Sequence, residues 1–294
     1  MPRHQWFVAL GACVSVLCAG TPVRSQAVLP LVHELNQDQL EQQGMMLIED
    51  AIQLSRFQQY EWAIPRAKLA TQLVPTRFES WYILGTLLVQ EEEYAEGIRV
   101  LNRAKKLESK ESGIYSILGA AYFQSGDYAK AIPELETALG LGDDSIEVLF
   151  DLGNAQFKLE RYDAAIATYK RSIKLRDDFW PAINNVGLIQ FEQGDISGAI
   201  ESWEKAIAID PTAAEPMLAV AVATYVQGDT TKGLELAREA LILDSRYADL
   251  EFLDENLWGE DLLKATETIF ATPTLESLFN ELGENAFKPE QIEP

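Results

Sequence analysis

FQSGDY, at residues 123–128, returns as FKLERY at 157–162, FEQGDI at 191–196 and YVQGDT at 225–230. Upstream the same frame holds VQEEEY at 89–94 and SRFQQY at 55–60. The interval is 34 residues each time, without one insertion. A fixed period of this length marks stacked supersecondary units and outranks any local reading of the chain. Setting the frame at Gly44 gives six blocks: 44–77, 78–111, 112–145, 146–179, 180–213 and 214–247.

Within the blocks, three positions stay small. The eighth reads Ala51, Gly85, Gly119, Gly153, Gly187, Ala221; the twentieth Ala63, Gly97, Ala131, Ala165, Ala199, Gly233; the twenty-seventh Ala70, Ala104, Ala138, Ser172, Ala206, Ala240. Helix axes that pack ~8–10 Å apart need small side chains where they cross. Bulk collects elsewhere, as in Trp81 and Tyr115 at the fourth position and Leu101, Leu135, Tyr169 and Trp203 at the twenty-fourth, where Ala67 and Ala237 are exceptions. The seventeenth carries Tyr60, Tyr94, Tyr128 and Tyr162.

The turn chemistry fits helix pairs. Gly126-Asp127, Gly194-Asp195 and Gly228-Asp229 supply a left-handed residue to end one helix and an aspartate to cap the next. Pro75 and Pro211 stop helices between blocks, and Asp143-Asp144 and Asp177-Asp178 are expected to cap the helices that follow. Each block therefore predicts helix–turn–helix, with no strands anywhere.

Six such blocks in register resemble the tetratricopeptide repeat family, over residues 44–247. The resemblance implies an all-α, right-handed solenoid whose first helices line a concave groove through positions 2, 5, 9 and 12. Position 12 reads Ser55, Val89, Phe123, Phe157, Phe191, Tyr225, and position 5 adds Tyr82 and Phe150. These rings are expected to stand partly exposed as a ladder for a bound peptide, although a ring there also fits packing between neighbours. Asn154 and Asn185 match the asparagines with which some members grip a terminal carboxylate. The matching basic positions hold Phe150, Glu215 and Ala219, so that clamp is rejected. The asparagines are left to hydrogen-bond a peptide backbone.

The formal charge of −22, from 46 acidic and 24 basic side chains, opposes binding to nucleic acid or anionic lipid. No phosphate-binding loop, nucleophile elbow or zinc-protease motif occurs. The histidines, His4 and His33, lack a partner for metal, and the acidic pairs fall at block boundaries. The 47 residues past the array are too few for a catalytic domain. The expectation is a non-enzymatic chain without cofactor or metal that binds one or more proteins or peptides; a cell-envelope hydrolase is the remote alternative.

Residues 1–27 read as a secretory signal: Arg3, an apolar run over 6–20, then small residues at Ser25 and Ala27 before Val28. The alternatives are an uncleaved N-terminal anchor and, through Cys13, a lipoprotein. Cleavage would remove both cysteines, Cys13 and Cys18, and two arginines, taking −22 to −24. Export to a periplasm or thylakoid lumen follows as the expected location. LWGEDLLKATETIF (257–270) is similar to tetratricopeptide proteins of cyanobacteria and plastids, some of which help assemble photosynthetic complexes. Residues 28–43 form an N-terminal extension in which Asn36 opens a helix. Residues 248–283 read as capping helices, one from Tyr247 to Phe270 and a short one after Pro273, with Phe252, Trp258 and Phe279 as an alternative docking patch. Residues 284–294 form an acidic tail.

Overall fold

The computed structural model describes residues 36–285, with side chains through Glu281. The expected signal segment, residues 28–35 of the extension and the tail from 286 lie outside the described residues. Those described form fifteen α-helices and no strand. The first helices of the six blocks are α1 (Gln37–Arg56), α3 (Phe78–Gln90), α5 (Ser112–Gln124), α7 (Ile146–Lys158), α9 (Trp180–Glu192) and α11 (Ala214–Val226). The second helices are α2 (Tyr60–Leu73), α4 (Tyr94–Leu107), α6 (Tyr128–Gly140), α8 (Tyr162–Leu175), α10 (Ile196–Ile209) and α12 (Thr230–Leu243). Each first helix packs on its own second helix, which packs on the next block. The first helices also approach one another, α1 to α3, α3 to α5 and α5 to α7, so they line the inner side of an all-α solenoid.

The recurring turn has one geometry. The fifteenth residue of every block is left-handed: Gly126, Gly194 and Gly228 at φ +79°, +80° and +101°, and Gln58, Glu92 and Glu160 at +56°, +60° and +55°. The following N–H reaches back five residues to close the first helix, as from Asp127 to Tyr122 O (2.8 Å) and Arg161 to Gln156 O (2.9 Å). Stacking enforces this turn even where the side chain disfavours it. Asp195 and Asp229 cap their helices through the N–H groups of Gly198 and Lys232. Asp127 instead pairs with Lys130. The aspartates before α7 do not cap it: Ser145 accepts from Val148 N–H, while Asp143 accepts from Ser116 Oγ. Before α9 the N-cap residue is Phe179, with no side-chain cap.

Small and large positions interlock. A Cβ on Gly153 would stand 2.5 Å from Tyr169 Cε1, and one on Gly187 2.5 Å from Trp203 Nε1. The eighth position thus houses the twenty-fourth side chain of the same block. Where the eighth is Ala51 or Ala221, the twenty-fourth shrinks to Ala67 or Ala237, and all four are fully buried. The two alanine exceptions are therefore volume compensation, because a close-packed interior conserves volume across a contact.

Beyond the array, the expected helix from Tyr247 to Phe270 is two helices, α13 (Leu250–Glu255) and α14 (Glu260–Phe270), followed by α15 (Pro273–Asn285). Leu257 adopts φ +71° at the break, and Gly259 is the N-cap of α14. This break turns the chain back onto the first helices of the last blocks, since α14 packs against α9 and α11.

Candidate functional site

The rings expected along the inner face divide into two groups. Tyr82, Phe123, Phe150 and Tyr225 are half-buried. Phe157 and Phe191, expected to be partly exposed, are only 5% and 6% exposed. Part of the reason lies within the block, where the ring before the turn packs on the ring after it. The centroids of Phe123 and Tyr128 lie 5.3 Å apart, and those of Phe157 and Tyr162 5.7 Å. Phe191 packs on Trp203 at 6.1 Å. An aromatic at position 12 therefore helps to hold the turn.

The rest of the reason is the C-terminal segment. Leu253, Leu257, Trp258 and Leu262 join Phe157 and Phe191 in one buried cluster. Glu192, at the end of α9, caps α14 by accepting from the N–H groups of Asp261 (3.1 Å) and Leu262 (3.0 Å), a favourable place for a negative charge. Lys158 Nζ, at the end of α7, donates to Asp254 O (2.8 Å) and Oδ1 (3.1 Å). Trp258 is 2% exposed and donates from Nε1 to Glu215 Oε1 (3.3 Å). The chain thus fills the inner face of blocks 4 to 6 with its own residues. Phe252, Trp258 and Phe279 are no exposed patch: Phe252 packs on Tyr247, Phe279 on Phe270, and Trp258 is interior.

Beneath this plug runs a buried polar chain. Tyr169 Oη donates to Asn154 Oδ1 (2.7 Å), and Asn185 Nδ2 donates to Asn154 Oδ1 (3.0 Å) and Tyr169 Oη (3.2 Å). Asn184 Nδ2 donates to Asn185 Oδ1 (3.2 Å) and Glu215 Oε1 (3.0 Å). Asn154 and Asn185 therefore spend polar atoms on each other and on Tyr169. Burial pushes the Glu215 carboxyl up to about 7, against the opposing pull of its two donors. Burial, reinforced by Glu147, pushes Asp151 up to about 6, and burial also raises Glu192. A cavity of about 290 Å³ opens where the plugged stretch meets the open one, lined by Phe123, Phe150, Asn184, Glu215 and Tyr247 among others. Reading the sequence missed Asn184 and Glu215 as a pair. They lie 31 residues apart, near the repeat interval, and that spacing was the available signal.

Among the described residues no group of three or more His, Cys, Asp or Glu side chains could hold a metal ion. No described helix is long and apolar enough to cross a membrane. The inner face offers rings, amides and carboxylates, a set suited to holding a polypeptide.

Comparison with known proteins agrees with this architecture. Residues 110–178 match a family model described as tetratricopeptide repeat, and residues 187–228 match a second, described as TPR repeat. No curated protein matches the sequence. Among solved structures the fold is similar to YrrB, a TPR protein with an unusual peptide-binding site, at 21% identity, covering 61% of this chain and 92% of that one (TM-score 0.55). It is similar to MamA from Desulfovibrio magneticus RS-1 at 18% identity, covering 57% of this chain and 96% of that one (TM-score 0.55). It is also similar to pilF of Pseudomonas aeruginosa at 14% identity, covering 74% of this chain and 97% of that one (TM-score 0.59).

Proposed function

We propose that this chain, which belongs to the tetratricopeptide repeat family, is a non-enzymatic scaffold that holds a partner protein or peptide along the inner face of repeats 2 to 4. It acts after export to a periplasm or thylakoid lumen, in assembly of an envelope or thylakoid complex. One observation carries the reading of the site. The same inner face is sealed by the chain's own C-terminal segment in repeats 4 to 6, yet leaves the rings of Tyr82, Phe123 and Phe150 half-exposed. Half-exposed rings on a rigid concave face make suitable anchors, since aromatic residues dominate the energetics of interfaces. The peptide-binding site named for YrrB supports a peptide as occupant. The charge of −22 favours a basic partner over nucleic acid or anionic membrane.

The test is the double variant Tyr82→Ser, Phe123→Ser in the native host. The folded state should persist with a lowered thermal midpoint, since both rings are half-buried and Phe123 packs on Tyr128, while the partners crosslinked to the parent are lost. A folded variant that crosslinks the same partners removes the groove from the account. Intact-mass measurement tests export: a start at Val28 supports a cleaved, exported chain, whereas retention of residues 1–27 replaces it with a membrane-anchored assembly factor.

A further inference from the structure

The cavity between the open and plugged stretches of the groove carries unmet acceptors on its floor. Asn184 is 1% exposed, lines the cavity and has no hydrogen-bond partner for Oδ1. Its orientation is fixed by chemistry, because Nδ2 serves two oxygens, Asn185 Oδ1 and Glu215 Oε1, and a flipped amide would set oxygen against oxygen. Glu215, 7% exposed, receives both of its donors, Asn184 and Trp258, on Oε1. Among the described residues no hydrogen bond reaches Oε2, and no salt bridge reaches the carboxylate. The walls add the rings of Phe150, Trp180 and Tyr247 and a second, exposed carboxylate, Glu255. Two unmet acceptors side by side, a buried acid without a counter-charge and aromatic walls together describe a complement to a desolvated cation carrying N–H groups.

We propose that this cavity seats an arginine or lysine side chain of the polypeptide held in the open groove. The inference rests on the scaffold reading and names the chemistry of the partner. Phe123 lines both the open face and the cavity, so a chain lying along repeats 2 and 3 can reach the cavity with one long side chain. Burial holds the Glu215 carboxyl near 7, and Tyr247 is likewise pushed up, first by burial and then by the acids around it. Arg246 opposes the rise at Tyr247 but is paired with Asp244, and no cation acts on Glu215, where an entering guanidinium or ammonium would supply the missing charge.

The test uses the full chain and two synthetic peptides, acetyl-Ala-Ala-Arg-Ala-Ala-amide and its citrulline counterpart, which keeps the shape and loses the charge. Titrations at 150 mM salt are followed by calorimetry and tryptophan fluorescence. The arginine peptide should bind saturably with one-to-one stoichiometry, about tenfold or more tighter than the citrulline peptide. Glu215→Gln, which keeps shape and an acceptor, should abolish that preference, and Glu251→Gln, an exposed acid on α13, should leave it intact. Equal binding of the two peptides to the unmodified chain overturns the proposal, as does an arginine preference that survives Glu215→Gln, which would mean diffuse attraction to an acidic surface. If the peptides bind alike while the Tyr82→Ser, Phe123→Ser variant still loses its native partners, the cation seat is wrong and the scaffold reading stands.

Discussion

Replacing Glu215 with glutamine removes an ionisable group from the heart of the plugged groove while leaving an oxygen for both of its donors, Asn184 Nδ2 and Trp258 Nε1. Burial raises the folded-state pKa from the ordinary 4.5 to about 7. Between those values the folded chain keeps a proton that the unfolded chain has released. Stability from this group is therefore greatest below pH 4.5 and is lost as pH rises through about 7. At about 1.4 kcal/mol per pH unit, the loss reaches about 3 kcal/mol at pH 8. For a chain of this size that corresponds to ~6–12 °C in thermal midpoint. The acidic surface also destabilises the parent as pH rises, but that term is common to parent and variant. The quantity to measure is the difference between the two melting curves, followed by circular dichroism at pH 5 and pH 8. Glu215→Gln should melt near the parent at pH 5 and well above it at pH 8. The neighbouring phenols, Tyr169 and Tyr247, are both raised above their ordinary range and stay neutral throughout this window. A gap that does not change with pH, or a variant less stable than the parent at pH 8, refutes the assignment of a buried, unpaired acid.

Three further outcomes follow from the packing. Ala165, fully buried between helices, should not accept a larger side chain, and Ala165→Leu should cost ~1–3 kcal/mol by overpacking, seen as a lowered thermal midpoint. Glu160 holds a left-handed turn at φ +55°, so Glu160→Gly should raise the midpoint by relieving up to ~1 kcal/mol of backbone strain; a lowered midpoint would mean the turn is not strained. Trp258→Ala should cost ~3–5 kcal/mol as a truncated core aromatic and should also make the segment after residue 249 cleavable by protease, whereas an ordinary surface patch would show neither effect.

The array was legible because its evidence is periodic. A small residue every 34 positions and a left-handed position before each second helix repeat often enough to fix both helices of every unit. Even Ala67 and Ala237, which look like lapses at the twenty-fourth position, obey the rule once Ala51 and Ala221 are seen opposite them. The closing of half the groove was not legible, because it has no period. It depends on single contacts between distant residues, such as Lys158 with Asp254 and Glu192 with Leu262. It also needs a chain reversal at Leu257, where φ is +71°; Gly259 marks a weak point in the sequence but not the direction the chain takes. An aromatic at position 12 looks the same in sequence whether a partner or the chain's own Trp258 covers it. For the same reason Asn154 and Asn185 read as peptide ligands, although Tyr169, at the twenty-fourth position of the fourth repeat, lies where it can tie them together.

The placement of Glu215 links the two halves of this groove. A glutamine there would serve Asn184 and Trp258 equally and carry no ionisation penalty at neutral pH, so the glutamate is a poor choice for stability alone. The second helices carry their charges outward, as with Arg99 and Glu96, where solvent makes the choice nearly neutral. The buried amide oxygen of Asn184, left without a partner beside this carboxylate, departs from the rule that interior polar groups are satisfied. Such departures concentrate where a structure binds something. The plug and the cavity thus have one logic. The C-terminal segment closes repeats 4 to 6 and supplies Trp258 to hold one oxygen of Glu215, leaving the other at the end of an open aromatic face. If the glutamine variant gains stability at pH 8 and in the same preparation loses its preference for arginine over citrulline, the stability cost and the binding role belong to one carboxylate.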